Sequence, residues 1–565
     1  MRSTPRPAPA RPLGVGRLAR LIRVGVGWLI GVVVVAGCAP VARVPVAEAG
    51  ASDLGPAARG EVRDGGVLRW PLPAFPAQWN FHHVGGMDGA ADLVLRAVLP
   101  YPMKSDDTGR VTPDRDYLLD ARVIRRSPQT VRYRVNPAAR WSDGRRIGVR
   151  DFAAQARALS GRDERFPIAS ATGYTEIAKV RAGKRDGEVV VVFRRPFGDW
   201  KALFSPLYPA STSADPVVFD RGWLNAIPVT AGPFKVRALD ARAGTVTVER
   251  DPRWWGRPAR LAEIRFRALD AAARAGAFAN REIDLLDVGG DVGAYLRAGS
   301  LPWARVRRAA GADWKHLTLN AARGPLADPR VRRAVLLALD RELLARAALG
   351  RLDAPVRTLG SHFFVAGQPG YRDRAPARDL AEARRLLAGA RPVLSYVIPA
   401  GNTAYREEAE LVQALLAEAG VRVVLRPVPP NTMIAQYVAR GDFDIVAFSW
   451  LGGPFPVSWM TSVFTTDGGQ NFTGAGDPRV DTLLAKAGRT LDPAQGRRLV
   501  GRADTLLWRT AAVIPLYQRP QLVAVDARLA NIGATGLASL SYEDIGFRKG
   551  DDVRGAGSRA LSGTE

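Results

Sequence analysis

The sequence lacks most of the chemistry that cysteine and histidine supply. Its 565 residues include one cysteine, Cys38, and four histidines. A single thiol cannot form an internal disulfide, so a domain of this size must rely on its hydrophobic core. No HExxH or CxxC pattern occurs, and the adjacent His82 and His83 are more typical of a loop than of a metal site. We therefore expect no metal and no cofactor.

Signatures of catalysis are also missing. There is no GxxxxGK[ST] phosphate loop and no GxSxG turn. Carboxylate pairs such as Asp106-Asp107 and Glu407-Glu408 fall in turn-like or helix-surface contexts, and nothing in the sequence brings two carboxylates into an acid/base pair. Because catalytic groups are assembled in space, this absence is weak evidence by itself. The expectation is a protein that is not an enzyme.

Long apolar runs are absent apart from one near the N-terminus. Residues 24–35 carry no charge, which is too short to span roughly 30 Å of hydrocarbon comfortably. Six arginines and no acid precede this run, and Val35-Ala36-Gly37-Cys38 follows it, which is the order of a secretory signal. The small residues before Cys38 resemble the bacterial lipobox, in which the thiol is acylated. We expect a signal peptide at 1–37 and lipid attachment at Cys38; the alternative is a signal anchor with an incidental cysteine.

Acidic residues and lysines are scarce relative to arginine. The formal net charge is +26, and 8 of the 81 basic residues are lysine. Arginine often alternates with apolar residues, as in Ile264-Arg265-Phe266-Arg267, which is typical of the solvated face of a strand. No basic run with interleaved aromatic residues occurs, so we expect no nucleic-acid partner. A GC-rich genome explains the arginine content, and attraction to anionic headgroups is the alternative.

Between its flanks the chain mixes strand and helix patterns. Alternation of apolar and polar residues predicts strands at 130–135, 245–248 and 264–268, and apolar runs predict strands at 188–193 and 442–448. Helical spacing predicts helices after Asp328 and Asp340, at 380–387 and at 407–419. Residues 38–60 and 549–565 lack periodicity, which predicts a flexible tether and a disordered tail. The mixture favours α/β lobes over a single barrel or bundle.

Aromatic residues on a glycine- and proline-rich stretch supply the candidate binding residues. The sequence SWLGGPFPVSW at 449–459 follows the apolar run that ends at Phe448, and loops after strand ends often carry ligand contacts. The alternative is that this loop packs against its own lobe. The candidate ligand-binding residues are Trp450, Gly452, Phe455 and Trp459, with weaker cases at Phe81, His82, Phe363, Asn471 and Phe472.

Several stretches, in order, resemble the bacterial extracellular solute-binding proteins of the dipeptide/oligopeptide class, which are the receptors of ABC importers. The resemblance covers about residues 66–547. The stretches are RWSDG at 140–144, VRDF at 149–152, VTAGPF at 229–234, RWWG at 253–256, LN at 319–320, LADPRVRRA at 326–334, LDR at 339–341, DPRVD at 477–481 and IPLY at 514–517.

This resemblance implies an α/β, two-lobed, periplasmic-binding-protein-like clamshell of class II, the large peptide-binding type, with an extra small domain in the first lobe. The chain would cross the hinge near Leu319-Asn320 and return near Leu516-Tyr517. The implied boundaries are 61–318 for the first lobe, 319–515 for the second lobe and 516–548 for the segment in which the chain returns to the first lobe. Solute would be enclosed by hinge closure.

The function implied is that of a lipid-anchored receptor on the outer face of the cytoplasmic membrane. It would capture peptide-like solutes, as a monomer, for ABC permease and ATPase subunits. One departure bears on the ligand: the family's peptide binders often carry an Asp in the loop after the strand, which pairs with the peptide's free amine, whereas this chain has no carboxylate around Gly453. Losing one member of a buried charge pair costs about 3–5 kcal/mol, so recognition of a free amine cannot be assumed.

Two stretches, 196–204 and 228–234, resemble an actinobacterial lipoprotein subgroup of the same fold more closely. One member of that subgroup is linked to the assembly of cell-envelope mannolipids instead of import. The alternative function is therefore an accessory lipoprotein of envelope glycolipid biosynthesis.

Overall fold

The computed structural model describes residues 52–550. The predicted signal peptide, Cys38 and most of the predicted tail lie outside the described residues. Twenty strands in six sheets and thirteen α-helices are formed within this range. None of the helices in residues 52–550 is both long and apolar enough to cross a bilayer.

The strands are β1 (Val67–Leu72), β2 (Met103–Ser105), β3 (Val111–Pro113), β4 (Leu118–Arg126), β5 (Gln129–Val135), β6 (Ile177–Ala182), β7 (Glu188–Phe193), β8 (Phe234–Asp240), β9 (Thr245–Arg250), β10 (Glu263–Ala268), β11 (Leu285–Asp287), β12 (Ala304–Ala309), β13 (Asp313–Leu319), β14 (Val393–Pro399), β15 (Arg422–Val428), β16 (Ile445–Leu451), β17 (Val513–Gln518), β18 (Gln521–Asp526), β19 (Leu529–Ala530) and β20 (Gly546–Phe547).

The helices are α1 (Gly89–Val98), α2 (Val149–Ala158), α3 (Ala210–Ser213), α4 (Pro216–Arg221), α5 (Ala271–Ala279), α6 (Val292–Gly299), α7 (Pro329–Ala338), α8 (Arg341–Leu349), α9 (Leu380–Leu387), α10 (Thr403–Glu418), α11 (Pro456–Phe464), α12 (Pro478–Gly488) and α13 (Pro493–Thr510).

The first lobe is built on the sheet β1-β10-β9-β8. Within β10, Ile264 and Phe266 are buried while Arg265 and Arg267 are exposed, which confirms the solvated arginine face expected from the alternation. The antiparallel sheet β4-β5-β7-β6 is inserted between β1 and β8 and forms the additional small domain.

The second lobe is built on the sheet β15-β14-β16-β13-β17. Strand β14 is parallel to β15 and β16, and β13 is antiparallel to β16 and β17. Helix α7 begins as the sequence predicts, because the side chain of Asp328 accepts a hydrogen bond from the Arg330 amide and Pro329 takes the first helical position.

The three-stranded sheet β11-β18-β12 lies between the two lobes. Alternate residues of β18 face opposite sides: Val523 and Val525 belong to the core of the first lobe, whereas Leu522 and Ala524 belong to the core of the second. Because side chains alternate across a strand, this sheet contributes to both cores.

The chain changes from the three-stranded sheet to the second lobe between β12 and β13, at 310–312, and returns between β17 and β18, at 519–520. The two crossings are hydrogen-bonded together, with Gln518 Nε2 2.7 Å from Gly311 O and Arg519 N 2.8 Å from Asp313 O. The predicted crossing positions, Leu319-Asn320 and Leu516-Tyr517, lie in or beside strands of the second lobe. We therefore propose 310–312 and 519–520 as the lobe boundaries.

The residues before β1 pack against the first lobe. Asp53 pairs with Ala534 in a short antiparallel bridge. The buried guanidinium of Arg307 donates to the carbonyl oxygens of Leu54, Leu529 and Ile532. Residues 53–60, which the composition assigns to a tether, are therefore held against the first lobe.

Candidate functional site

The candidate site lies where several strands of the second lobe end together. Strands β14, β15, β16 and β17 run in the same direction, opposite to β13, so their carboxyl ends meet at one edge. Both crossings, 310–312 and 519–520, leave from this edge. In open α/β sheets this is the edge at which ligands bind.

Trp450 lies at the centre of an aromatic stack at this edge. Its indole is nearly parallel to the imidazole of His316, with ring centroids 5.8 Å apart, and to the ring of Phe472, at 6.2 Å. Phe448 meets Trp450 edge-on at 5.2 Å. Stacked and edge-on pairs are the favoured arrangements of aromatic rings, and we call this group of four rings the aromatic platform.

The polar atoms of this platform are short of partners. Three buried nitrogens have no hydrogen-bond partner within residues 52–550: both ring nitrogens of His316 and the indole nitrogen of Trp450. His316 is fully buried, and burial lowers its pKa well below the ordinary value of 6.5, so the imidazole is neutral at pH 7. Trp450 and Phe472 are both half-buried and are the members of the stack that can meet a ligand.

A short loop, 452–455, follows β16 and is held on several sides. The Gly452 amide donates to the Ala312 carbonyl of the first crossing at 2.9 Å. Gln368 Nε2 donates to the Gly453 carbonyl at 3.1 Å. A Cβ on Gly453 would collide with the ring of Trp459, so that indole lies directly over the loop, with 43% of the residue exposed.

The same region touches the first lobe. Phe455 packs against the apolar core of the first lobe. Asp199, in the small domain, accepts hydrogen bonds from the amide and the hydroxyl of Ser458 at 3.0 and 2.6 Å. The Gly198 amide donates to the Gly488 carbonyl at 2.6 Å. Burial raises the pKa of Asp199, and the bonds from Ser458 oppose that rise. The lobes are therefore in contact beside the aromatic platform.

The structure corrects the expectation that 449–459 is one loop. Trp450 belongs to β16, which begins at Ile445 and extends past Phe448 because it pairs with β13 as far as Leu451. Trp459 belongs to α11. Only Gly452 and Phe455, with the two residues between them, occupy a loop.

Four of the weaker candidates differ in their surroundings. Phe472 is part of the stack. The side-chain amide of Asn471 bonds to backbone and hydroxyl groups of its own turn. Phe363 is 2% exposed and packs against Phe464 in the second lobe. His82 lies in the first lobe with Nε2 2.8 Å from Pro206 O.

Phe81 also lies in the first lobe, where its amide donates to the Tyr208 hydroxyl. We therefore keep Trp450, Gly452, Phe455, Trp459 and Phe472 in the proposed site. We leave Phe81, His82, Phe363 and Asn471 out of it, because their contacts bind them into a lobe core or a turn.

Sequence reasoning missed three residues of this region. His316 shares one face of β13 with Trp314, a two-residue alternation that predicts the face but not the partner strand. Gln368 and Asp199 carry no local signal, because each acts on a segment far away in the chain. Their roles follow only from the three-dimensional contacts.

Two small cavities lie elsewhere. One of about 40 Å³ in the first lobe is lined by Lys104, Asp114 and Glu543, among others, and one of about 20 Å³ in the second lobe is lined by His362 and Thr473, among others. Each is far smaller than the roughly 300 Å³ that a bound small molecule needs. In the described part of the chain no three His, Cys, Asp or Glu residues are grouped to hold a metal ion.

Comparison with known proteins gives consistent matches. The family model for "Bacterial extracellular solute-binding proteins, family 5 Middle" matches residues 121–472. The oligopeptide-binding protein OppA of Mycobacterium tuberculosis is 37% identical over 530 residues, which cover 90% of both chains.

A second relative, a probable monoacyl phosphatidylinositol tetramannoside-binding protein LpqW of Mycobacterium tuberculosis, is 32% identical over 52% of this chain and 47% of its own length. Among solved structures, the periplasmic EDTA-binding protein EppA superposes with a TM-score of 0.81 at 24% identity, covering 88% of this chain and 98% of that chain. The two-lobed α/β fold expected from the sequence is thereby confirmed.

Proposed function

This chain belongs to the bacterial extracellular solute-binding proteins of family 5, and on that basis we propose that it captures a peptide-like solute between its lobes and delivers it to an ABC permease. The observation that carries the proposal is the 37% identity to an oligopeptide-binding protein over 90% of both chains. So long a match supports a common overall architecture for the two proteins. The partners would be the permease and the ATPase subunits of the importer.

The residues of the candidate site favour a solute that is recognised through its apolar groups. Trp450 and Trp459 offer ring surface beside the loop 452–455, and this loop has no carboxylate for a free amine. Aromatic faces contribute stacking and large contact areas to flat or apolar groups. We propose that the ligand's side chains or a blocked backbone meet these rings, and that the protein does no chemistry on the ligand.

The proposed location is the outer face of the cytoplasmic membrane, with the protein held by acyl chains on Cys38. The order of basic, apolar and small residues before Cys38 supports this assignment. Two or more acyl chains suffice for stable anchoring of a soluble domain.

A second candidate function is an accessory role in envelope glycolipid biosynthesis. The match to the probable tetramannoside-binding protein favours this role, although that match covers only about half of this chain. Sugar rings also stack on indoles, so the aromatic platform is compatible with a glycolipid headgroup.

Thermal unfolding of the chain lacking residues 1–38 separates the two functions. A pool of two- to five-residue peptides should raise the Tm, because ligand at 100 times Kd adds about 2.7 kcal/mol of stability. Phosphatidylinositol mannoside is tested in parallel. A rise in Tm with the mannoside and none with the peptides would replace the first proposal with the second.

A further inference from the structure

The helices of this protein generally supply their own N-terminal caps. Nine of the thirteen described helices follow an Asp or Asn whose side chain accepts a hydrogen bond from an amide in the first turn. This acceptor satisfies an amide that the helix itself leaves free, and the negative charge also suits the helix dipole.

Helix α11 is different. Its N-cap residue is Phe455, whose side chain cannot accept a hydrogen bond, and no described residue of its own lobe caps it through a side chain in the manner of the nine. The carboxylate that accepts hydrogen bonds from its first turn belongs to Asp199. The amide and the hydroxyl of Ser458, the third helical residue, both donate to it. The cap of a helix in the second lobe is therefore supplied by the first lobe.

The loop that carries Asp199 is held firmly in the small domain. The side chain of Gln129 accepts from the Phe197 amide at 2.6 Å and donates to the Phe197 carbonyl at 3.1 Å. Trp200, on the other side of Asp199, is buried in the core of the first lobe. Asp199 is thus a fixed feature of one lobe, and its distance from α11 changes when the lobes move apart.

We propose that Asp199 is a positioning residue that completes α11 when the lobes close, which couples closure to the ordering of the ligand site. The coupling is direct, because α11 begins immediately after the loop 452–455 and carries Trp459 over Gly453. When the lobes separate, Asp199 becomes hydrated and the first turn of α11 loses its acceptor. This inference rests on the two-lobed fold and deepens the proposed function by naming what favours the closed form.

The experiment measures the closed fraction without any ligand. The chain lacking residues 1–38 contains no cysteine, so Lys184→Cys in the small domain and Glu410→Cys on α10 give a clean pair of fluorescent labels for energy transfer. Asp199→Ala should lower the closed-to-open ratio about 2- to 30-fold, the factor that corresponds to loss of one N-cap. Asp199→Asn keeps an acceptor oxygen and should retain most of the closed form.

A matched control removes a cap within one lobe. Asp328→Ala deletes the N-cap of α7 and should lower the Tm without changing the closed fraction. Circular dichroism checks that each variant folds. An unchanged closed fraction in Asp199→Ala, or an equal change in Asp328→Ala, would overturn the proposal. If Asp199→Ala lowers the closed fraction but the protein binds no peptide, the role of Asp199 as a cap is supported. Only the proposed function is then contradicted.

Discussion

The indole of Trp450 and the phenyl ring of Phe472 lie 6.2 Å apart with their planes 7° from parallel. Phe472 is separated from Trp450 by the whole of α11, and the loop after that helix returns it to the edge of the sheet. The imidazole of His316, from β13, is also nearly parallel to this indole, with ring centroids 5.8 Å apart. Trp450 thus contacts rings from two distant segments of the chain, and these contacts distinguish it from Trp459, which lies on the helix surface.

Replacing the two tryptophans should therefore have different effects. Trp459→Ala should weaken peptide binding and change the free energy of unfolding by less than about 0.5 kcal/mol, because the residue is 43% exposed. Trp450→Ala should weaken binding and also cost about 3–5 kcal/mol of stability through the hole it leaves in the stack. Isothermal titration and urea unfolding measure the two quantities.

The control for this pair is Leu296→Ala, at an exposed apolar residue of α6, which packs beside the three-stranded sheet. It should change neither binding nor stability appreciably. If Trp450→Ala and Trp459→Ala both keep full affinity, the ligand site lies elsewhere.

Acidification should destabilise the protein through His82. Burial lowers the pKa of His82 from 6.5 to about 4, so the unfolded chain takes up a proton in this range before the folded chain does. The associated stability is fully present above pH 6.5 and is lost as the pH falls towards 4, by about 3 kcal/mol. Urea unfolding at pH 6.5 and pH 4 should show that His82→Gln loses correspondingly less stability than the wild-type protein. Equal losses in the two proteins would contradict the prediction.

His362 and Asp504 form a buried pair that should matter for the stability of the second lobe. Their side chains are fully buried, with Nδ1 2.8 Å from Oδ1, and Arg374 approaches the other carboxylate oxygen. His362→Leu should cost about 3–5 kcal/mol, because Asp504 then loses its imidazole partner and keeps only Arg374 and the backbone amide of residue 362. The double variant His362→Leu/Asp504→Leu should be less unstable than the sum of the single changes, as measured by urea unfolding; strict additivity would show that the pair does not interact.

Gly311 should be needed for the close approach of the two crossings. A Cβ at this position would collide with the backbone carbonyl of Arg519 and lie 3.1 Å from the amide of Gln521. Gly311→Ala should therefore cost about 1–3 kcal/mol of stability, measured by urea unfolding, as the crossings are forced apart. The control Gly276→Ala, in α5 with open space around it, should be neutral or slightly stabilising. Equal behaviour of the two variants would count against this role for Gly311.

Loss of the Cys38 thiol should release the protein from membranes. Cys38→Ala cannot be acylated, and the apolar run before it is too short to hold a span comfortably. Fractionation of cells that express the full chain should move the variant to the soluble fraction, whereas Ala39→Ser should remain with the membrane. Retention of Cys38→Ala in the membrane would identify the apolar run as the anchor.

Local pattern predicted much of the secondary structure. Strand β7 and helix α9 have the predicted bounds, 188–193 and 380–387. Both can be predicted because a run of apolar residues and a helical apolar stripe are local sequence patterns. Helix α11 was missed although Pro456 takes its first position, since the neighbouring glycines and prolines favoured a loop. The strand ending predicted at Phe448 was too early, because pairing with β13 extends β16.

The candidate site was only partly predictable. Trp450 and Phe455 draw attention by composition alone, but the partners that decide their roles come from distant segments. His316 and Asp199 reach the site through strand pairing and lobe contact, which no local spacing encodes. Phe363 looked similar to Trp450 in sequence, and only packing against Phe464 distinguishes a core residue from a surface one.

Arg307 fixes the N-terminal segment of the described chain to the first lobe. Its guanidinium joins the chain at Leu54 to the C-terminal segment of the first lobe at Leu529 and Ile532. With lipid attachment at Cys38, as proposed, the first lobe would be the part held at the membrane. The second lobe, with its stacked rings, would then be the part that moves when a solute is enclosed.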